Sequence, residues 1–307
     1  MTCPNIDGSK SVGGCTFCTD DGSSSLANNA SDAIRQQLLQ GIEDQSKRFR
    51  TDQFIAYFQS FTNTYADADY LRGLYAQAVD HPAVKILAIG TRPDCVPEDV
   101  IDVIEEFAGM QREGSEQPLE VWVDIGVQTV HNQTLETINR AHSYEDFVDA
   151  AQRLKARNNP NLKICTHVIL GLPGETPEMM LETAERLAKS PIDHIKIHQL
   201  CIFKGTPIEI DYLNDEVKVF EKQEYIELLA EFISRLPSDM VIQRLIGEGP
   251  RGELIAPDWA KHGMKQKFLS DFEKYLTEHD LYQGKHAELI AGDVFAERET
   301  SHIKNHP

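Results

Sequence analysis

The stretch LEVWVDIGVQT, residues 119–129, alternates two kinds of side chain and predicts how the chain folds. Its odd-numbered members after Leu119 are apolar: Val121, Val123, Ile125 and Val127. Its even-numbered members from Trp122 are mixed: Trp122, Asp124, Gly126 and Gln128. Because successive side chains of a strand point to opposite faces, we expect the apolar face to lie under helices and the mixed face to line a barrel.

Four further apolar runs of strand length flank this one, at residues 53–61, 84–93, 162–173 and 194–203. Charged, helix-like segments separate them, and one begins with Thr176 as N-cap followed by Pro177. Strands that alternate with helices predict a parallel sheet. Since the units are too few for an eight-stranded barrel, we predict an α/β fold with a partial (β/α)6 TIM-like barrel.

Residues 206–307 follow a different pattern, with a helix near 216–236, one more strand, a Gly/Pro-rich loop and a helix to about residue 279. We therefore predict a barrel core over residues 1–205 and a small C-terminal α/β extension over 206–307 that packs on the barrel. The tail after Gly284 has only a weak pattern, and we predict no regular element at its end.

Composition narrows the classes of protein and partner. Acidic residues outnumber basic ones 49 to 30, and the net charge of −19 argues against a general polyanion-binding surface. The sequence has neither a membrane-length apolar stretch nor a signal peptide, so we expect a cytoplasmic protein with no membrane partner. Six cysteines in 307 residues are not a disulfide framework, and a close thiol cluster in a reducing compartment indicates metal.

Three of the cysteines lie together in TCPNIDGSKSVGGCTFCTDD, residues 2–21: Cys3, Cys15 and Cys18. A structural zinc site needs four ligands, and an aspartate of this stretch or a distant residue would have to complete it. A four-iron cluster normally takes four thiolates, so three would leave one iron open to a small molecule. The residues alone leave both readings open.

Three cysteines in a loop at the head of a βα barrel, with an aromatic residue before the last, resemble the radical SAM superfamily. The spacing here is C-x11-C-x2-C instead of the usual C-x3-C-x2-C, and this wide first gap resembles the Elongator catalytic subunit. The segment CPNIDGSKSVGGCTFC is closer still to the bacterial YhcC/YtqA-like family. The later motifs IGTRPDCVP, HVILGLPGET and RLIGEGPRGELIAPDWA follow in the expected order.

This resemblance implies the partial barrel of the radical SAM type and two cofactors, a [4Fe–4S] cluster and S-adenosylmethionine (SAM). Cys3, Cys15 and Cys18 would hold the cluster, whose open iron would bind SAM. An electron from a reductant such as flavodoxin or ferredoxin would then cleave SAM to a 5′-deoxyadenosyl radical.

The resemblance also implies a set of SAM-binding residues. Gln128 and Arg140 match residues that contact SAM, the latter through its carboxylate, and a guanidinium suits a carboxylate. Phe17 would pack near the adenine, and main-chain groups around Gly171 and Pro173 would contact it. The superfamily's Gly-Gly-Glu motif is absent, and the polar residues in its place could receive the SAM ammonium group: Gln59 and Asn63.

Three ionisable residues on predicted inward-facing positions are candidates for catalysis: His167, Lys196 and His198. Lys196 and His198 could bind an acidic substrate group or donate protons, while His167 could contact ribose or serve chemistry. For Lys196 and His198 the alternative is an internal salt bridge, for example with Asp124, and for His167 a satisfied barrel histidine. The other cysteines, Cys95, Cys165 and Cys201, lie singly and are interpreted as buried thiols.

The substrate does not follow from these motifs, but relatives in the resembling families point to wobble uridine of tRNA. A modest basic patch near the C-terminus could hold phosphate: Arg251, Lys261, Lys265 and Lys267. The alternatives are a radical SAM enzyme on a small molecule or peptide, and a non-catalytic zinc or iron–sulfur protein. Relatives also carry a first barrel strand before the CPN segment, so we expect that strand to be missing and a sheet edge to be exposed.

Overall fold

A computed structural model describes residues 1–19, 33–249 and 252–287 of the chain. Six parallel strands form its main sheet: β1 Phe54–Phe58, β2 Val84–Thr91, β3 Glu120–Gln128, β4 Leu162–Leu170, β5 His194–Gln199 and β7 Val241–Arg244. Their order is β1-β2-β3-β4-β5-β7, and the sheet curls into a half-barrel. The predicted fold class is confirmed.

Helices lie between the strands, as the sequence predicts. In the described residues they are α1 Ile34–Phe49, α2 Ala68–Val79, α3 Glu98–Phe107, α4 Asn132–Thr137, α5 Tyr144–Ala156, α6 Pro177–Ala188, α7 Pro207–Leu213, α8 Lys222–Ser234 and α9 Lys265–Glu278. Helix α6 begins as expected, because the Thr176 side chain accepts a hydrogen bond from the main-chain N–H of Met179. A two-stranded antiparallel ribbon, β6 Ile202–Phe203 and β8 Leu254–Ala256, packs outside the main sheet.

The main core lies between the sheet and the helices. The four apolar residues of β3 between Val121 and Val127 have no exposed surface, and neither do Ile195 and Ile197 of β5. Each such side chain contributes about 2 kcal/mol by leaving water, which fixes which face of each strand is turned outward to the helices. The alternate residues therefore face the barrel interior, as predicted for β3 and β5.

The two edges of the sheet are formed by β1 and β7. No further strand lies beyond β1 in the described part of the chain, and near its end Thr62 donates a main-chain hydrogen bond to the carbonyl of Thr2 (3.2 Å). Strand β7 comes from residues 241–244 and pairs with β5, at the one extra strand predicted near the C-terminus. The division of the chain at residue 205 remains a prediction.

Across the described ranges, every helix is too short or too polar to cross a bilayer. The end of the tail, for which the sequence predicts no regular element, lies outside the described residues.

Candidate active site

Residues 3–18, here called the cluster loop, lie against the carboxyl ends of the barrel strands. Lys10 of the loop pairs with Asp94, which follows β2, and Gly14 accepts a hydrogen bond from Asn139, which follows α4 in the connection after β3. Thr2, just before the loop, accepts a hydrogen bond from Thr62 after β1. The loop itself contains turns but no helix or strand. Because parallel sheets bind ligands at the carboxyl ends of their strands, the three cysteines are placed where a cofactor is expected.

Two asparagines hold the cluster loop in place. The buried Asn5 side chain donates to the carbonyls of Asn139 (2.6 Å) and Arg140 (3.2 Å), and its nitrogen lies 3.7 Å from the Cys15 sulfur. In return the Asn139 side chain donates to the carbonyls of Val12 (2.9 Å) and Gly14 (2.7 Å). Asn139 has φ +52°, a left-handed conformation that asparagine tolerates better than most residues.

An ion-pair network is the second support of the loop. Arg92 and Asp94, whose side chains are only 2% exposed, form a two-pronged salt bridge (2.9 and 3.0 Å). Asp94 also pairs with Lys10 of the loop (2.7 Å), and Arg92 donates to the carbonyl of Arg140 (2.8 Å). Burial alone would raise the pKa of Asp94, but Arg92 and Lys10 outweigh it and lower the pKa to about 2.

Sequence reasoning missed these supporting residues. The available signal was the clustering of turn-forming and charged residues in CPNIDGSK, TRPD and INRA, each next to a predicted strand end or cysteine. Nothing in the local pattern indicates that the three segments meet.

The three cysteines differ in exposure and surroundings. Cys3 and Cys15 are buried, Cys18 is half-buried, and Arg140 points a guanidinium nitrogen at the Cys15 sulfur (3.5 Å). In the described ranges, no three His, Cys, Asp or Glu side chains converge on one metal-ion position. A cubane cluster does not need such convergence, because each thiolate binds a different iron. A mononuclear zinc site does, so the described residues give it no support.

Gln128 and Arg140 meet over the end of β3. The sheet register shifts between Gly126 and Gln128, and Gln128 takes φ +70°, which is rare for a residue other than glycine. A side chain at position 126 would place its Cβ only 2.7 Å from the Arg140 guanidinium and 2.8 Å from the Gln128 amide. Glycine at 126 therefore lets both side chains cross the strand beside the cluster loop.

Several polar atoms around this point are buried without any hydrogen-bond partner, including Gln128 Oε1 and Arg140 Nε. An unpaired buried polar atom is costly, so such atoms mark places where a ligand completes the bonding. The donor set, one amide oxygen and one guanidinium next to three thiols, fits a polar, carboxylate-bearing molecule held at an iron–sulfur cluster. The residues present therefore fit the two cofactors that the sequence implies.

Comparisons with known proteins identify the family. The description "Radical SAM superfamily" matches residues 11–187, and "Radical_SAM C-terminal domain" matches residues 192–278. The chain belongs to the radical SAM superfamily. It is 35% identical over 283 residues to the YtqA protein of Bacillus subtilis, which covers 92% of this chain and 84% of that protein.

Two more distant comparisons are with a curated protein and with a solved structure. The tRNA uridine(34) acetyltransferase of Methanocaldococcus jannaschii is 29% identical over 208 residues, 63% of this chain and 36% of that protein. The solved structure of archaeal Elp3 from Methanocaldococcus infernus, with its N-terminus deleted, has a TM-score of 0.64. It is 20% identical and covers 82% of this chain and 60% of that one, and it confirms the fold.

The remaining predicted SAM contacts are placed as follows in the radical SAM barrel. Phe17 packs on a second apolar cluster that includes Ile138 and Leu172, which anchors the cluster loop. The Asn63 amide nitrogen is occupied by main-chain carbonyls, including that of Gly90 (3.0 Å), so only its oxygen is available to a ligand. Gln59 is exposed at the end of β1.

Gly171 and Pro173 line a cavity of about 330 Å³ between the end of β4 and residues 215–220. Gly171 has φ +90°, and a Cβ there would lie 2.9 Å from the ring of Phe220. The glycine is thus required for packing within the protein. Contact of this segment with adenine remains a prediction.

The interior of the radical SAM barrel is strongly polar. Lys196 forms a buried salt bridge with Asp124, the pair that the sequence offered as an alternative to catalysis, and its nitrogen lies 3.3 Å from the Tyr57 hydroxyl. The rings of His167 and His198 are edge-to-face with centroids 4.8 Å apart. Burial, with His198 and then Arg244, holds the pKa of His167 well below its usual value, and burial lowers the pKa of His198 to about 4.

Two of the four residues of the predicted basic patch are paired with aspartates. Lys261 pairs with Asp258 (2.5 Å) and Lys267 with Asp271 (3.5 Å), while Arg251 lies outside the described residues. The prediction of a phosphate-binding patch is therefore weakened for these two lysines, because a paired, exposed lysine offers little net charge.

The three single cysteines are free and buried on separate elements, as interpreted. Burial raises the pKa of the Cys95 and Cys201 thiols to about 12, so both stay protonated.

Replacing Asn139 tests the hold on the cluster loop. The Asn139→Gly variant keeps the left-handed backbone but loses the side-chain bonds to Ser11, Val12 and Gly14. We expect the free energy of local opening of residues 3–18 to fall by about 2–4 kcal/mol, measured by amide hydrogen exchange. Asn158→Gly is the matched control, since Asn158 also has φ +52° but bonds only to Ala156. Equal hydrogen-exchange rates of residues 3–18 in the two variants would show that the Asn139 side chain does not hold the cluster loop.

Asp94→Asn tests the buried ion pair. Removing the charge leaves Arg92 uncompensated, so we expect a loss of about 3–5 kcal/mol in the free energy of unfolding at pH 7. Because the pKa of Asp94 is depressed, its contribution is complete above about pH 4 and is lost as pH falls toward 2. The difference between wild type and variant in the free energy of unfolding, measured with urea, should therefore decrease by about 2–3 kcal/mol across that range. Asp258→Asn is the control, because Asp258 belongs to an exposed ion pair. If the stability difference between wild type and Asp94→Asn did not change with pH, Asp94 would not be the buried charged partner of Arg92.

Proposed function

We propose that this radical SAM enzyme modifies the wobble uridine of tRNA. The proposed substrate is supported by the sequence similarity to a tRNA uridine(34) acetyltransferase over 63% of this chain. The enzyme class itself is established by the family, so the non-catalytic alternative is wrong. Its cofactors are a [4Fe–4S] cluster and SAM, and it needs an electron donor, for which we propose flavodoxin or ferredoxin.

In this proposal Cys3, Cys15 and Cys18 hold the cluster. When bound, the cluster and SAM would together supply radical chemistry to the substrate. Gln128 at the end of β3 and Arg140, whose side chain crosses that end, would receive SAM: the Arg140 guanidinium its carboxylate, and the Gln128 amide oxygen a donor group. Both side chains are held in place before SAM binds. Gly126 leaves space for them, and the register shift before Gln128 sets the direction of the Gln128 side chain.

The protein surrounds this point so that a radical would be protected from water. The Asn5 and Asn139 side chains close one side, and the apolar cluster under Phe17 closes another. The barrel interior opens toward the exposed edge strand β1, where Ile55 is 48% exposed. We propose that the substrate base enters from this side.

The charge of the chain restricts how tRNA could be held. With a net charge of −19 and paired lysines on α9, contact with the phosphate backbone would be confined to a small area. A cytoplasmic location stays a prediction.

The test uses anaerobic protein loaded with iron and sulfide, then given SAM, dithionite and tRNA from a strain lacking the gene. We expect 5′-deoxyadenosine to form, tRNA to stimulate it, and mass spectrometry to show a changed uridine-34 nucleoside. Cys15→Ala should lose the iron–sulfur absorbance and all product, whereas the matched Cys95→Ala, at a buried thiol outside the cluster loop, should keep both.

Different failures have different meanings. Iron content and absorbance that survive Cys15→Ala would overturn the ligand assignment. If 5′-deoxyadenosine forms but tRNA neither stimulates its formation nor is modified, tRNA is not the substrate. That result would favour a small molecule or a peptide as substrate.

A further inference from the structure

Arg244 lies on the interior face of the barrel because of an irregularity in β7. The register between β5 and β7 shifts after Ile195, so that Ile195 pairs with Ile242 but Lys196 pairs with Arg244. Ile242 packs in the core under the helices, while Gln243 donates to the interior ring of His194 (2.7 Å). A bulge of this kind re-aims side chains, and here it turns two successive polar residues toward the interior.

The positive charge of Arg244 has no protein counter-ion in the described part of the chain. None of the hydrogen bonds or ion pairs there involves its guanidinium, and the side chain is half-buried. Lys196, which pairs with Arg244 in the sheet register, is already neutralised by Asp124. An arginine that is half-buried, is reached by solvent and pairs with no carboxylate of the described residues is available to an anion.

The neighbouring groups are suited to that anion. The Nε2 atom of His167 is buried and has no hydrogen-bond partner, and the His167 ring contacts that of His198. His198 donates through Nδ1 to the carbonyl of Gln199 (2.8 Å) and is therefore fixed. The sheet register places Arg244 beside them, since Arg244 pairs with Lys196 and Lys196 pairs with His167.

Summing the charges gives the sign of the site. The Lys196–Asp124 pair is neutral, both histidines are uncharged near neutral pH, and Tyr57 and Cys165 are protonated there. Arg244 thus adds a positive charge to the interior of a chain whose own net charge is −19, and Arg140, whose charge also reaches His167, has the same sign. The interior attracts an anion although the protein as a whole repels one.

We propose that Arg244 and His167 form a subsite in the barrel interior for an oxyanion of the substrate, a carboxylate or a phosphate. The planar guanidinium suits either group in a two-pronged contact, and His167 Nε2 can donate a further hydrogen bond. The proposal rests on the proposed function only in taking the barrel interior as the substrate chamber. It adds that the group held there is anionic.

The test does not need the loaded enzyme. Cluster-free protein with labelled histidines is titrated at pH 7 with inorganic phosphate, acetate or uridine 5′-monophosphate, and the His167 ring nitrogens are followed by NMR. We expect a saturable shift with at least one probe, and Arg244→Met should weaken binding at least ~10-fold. If acetate binds most tightly, the substrate group is a carboxylate. If inorganic phosphate binds more tightly than acetate, the group is a phosphate. If uridine 5′-monophosphate binds more tightly still, the phosphate is carried by a nucleoside.

Matched variants make the outcome decisive. Arg48→Met removes one exposed charge on α1 and should bind as wild type, while Arg244→Lys should retain part of the affinity. No saturable shift with any probe, or equal affinity in wild type and Arg244→Met, would overturn the subsite. His167→Asn assigns the resonance, and Arg244→Gln provides a second variant if Arg244→Met unfolds.

A second readout separates this subsite from the SAM site. In cluster-loaded protein, Arg244→Met should still show a change in the electron paramagnetic resonance spectrum when SAM is added. Loss of that change would mean that Arg244 holds SAM, and the proposal would be wrong. Failure of tRNA as a substrate would leave the anion titration unaffected, so the two proposals fail independently.

Discussion

The reciprocal hydrogen bonds of Asn5 and Asn139 are the constraint on which the active site depends. The cluster loop has no regular structure of its own, so its cysteines are positioned by what the loop contacts. These two side chains join it to the segment after β3, the same segment that supplies Arg140. One turn with left-handed residues at Asn139 and Ala141 therefore sets both the place of the thiols and the direction of the guanidinium beside them.

Much of the fold could be predicted because it depends on local periodicity. Alternation in residues 119–129 and 194–199 correctly separated the face under the helices from the interior face. The same alternation offered the Lys196–Asp124 pair as an alternative, which the structure shows. Buried apolar surface enforces the pattern, since a one-residue slip would turn every core residue of a strand into the interior.

What the sequence did not indicate depends on contacts between distant residues or on breaks in periodicity. Asn5 lies 134 residues from Asn139, and no spacing rule connects them. Arg244 reaches the interior through a register shift that alternation cannot reveal. The basic patch is a different case, because Asp258 and Asp271 lie only three and four residues from Lys261 and Lys267, so local spacing in the sequence already indicated both pairs.

The central claim is that three thiolates of the cluster loop leave one iron open to SAM beside Gln128 and Arg140. Electron paramagnetic resonance of the reduced, cluster-loaded protein tests it most directly. The account predicts that SAM changes the spectrum of the wild type and that Arg140→Met weakens this response. Identical spectra with and without SAM, in protein that holds a full complement of iron, would contradict it.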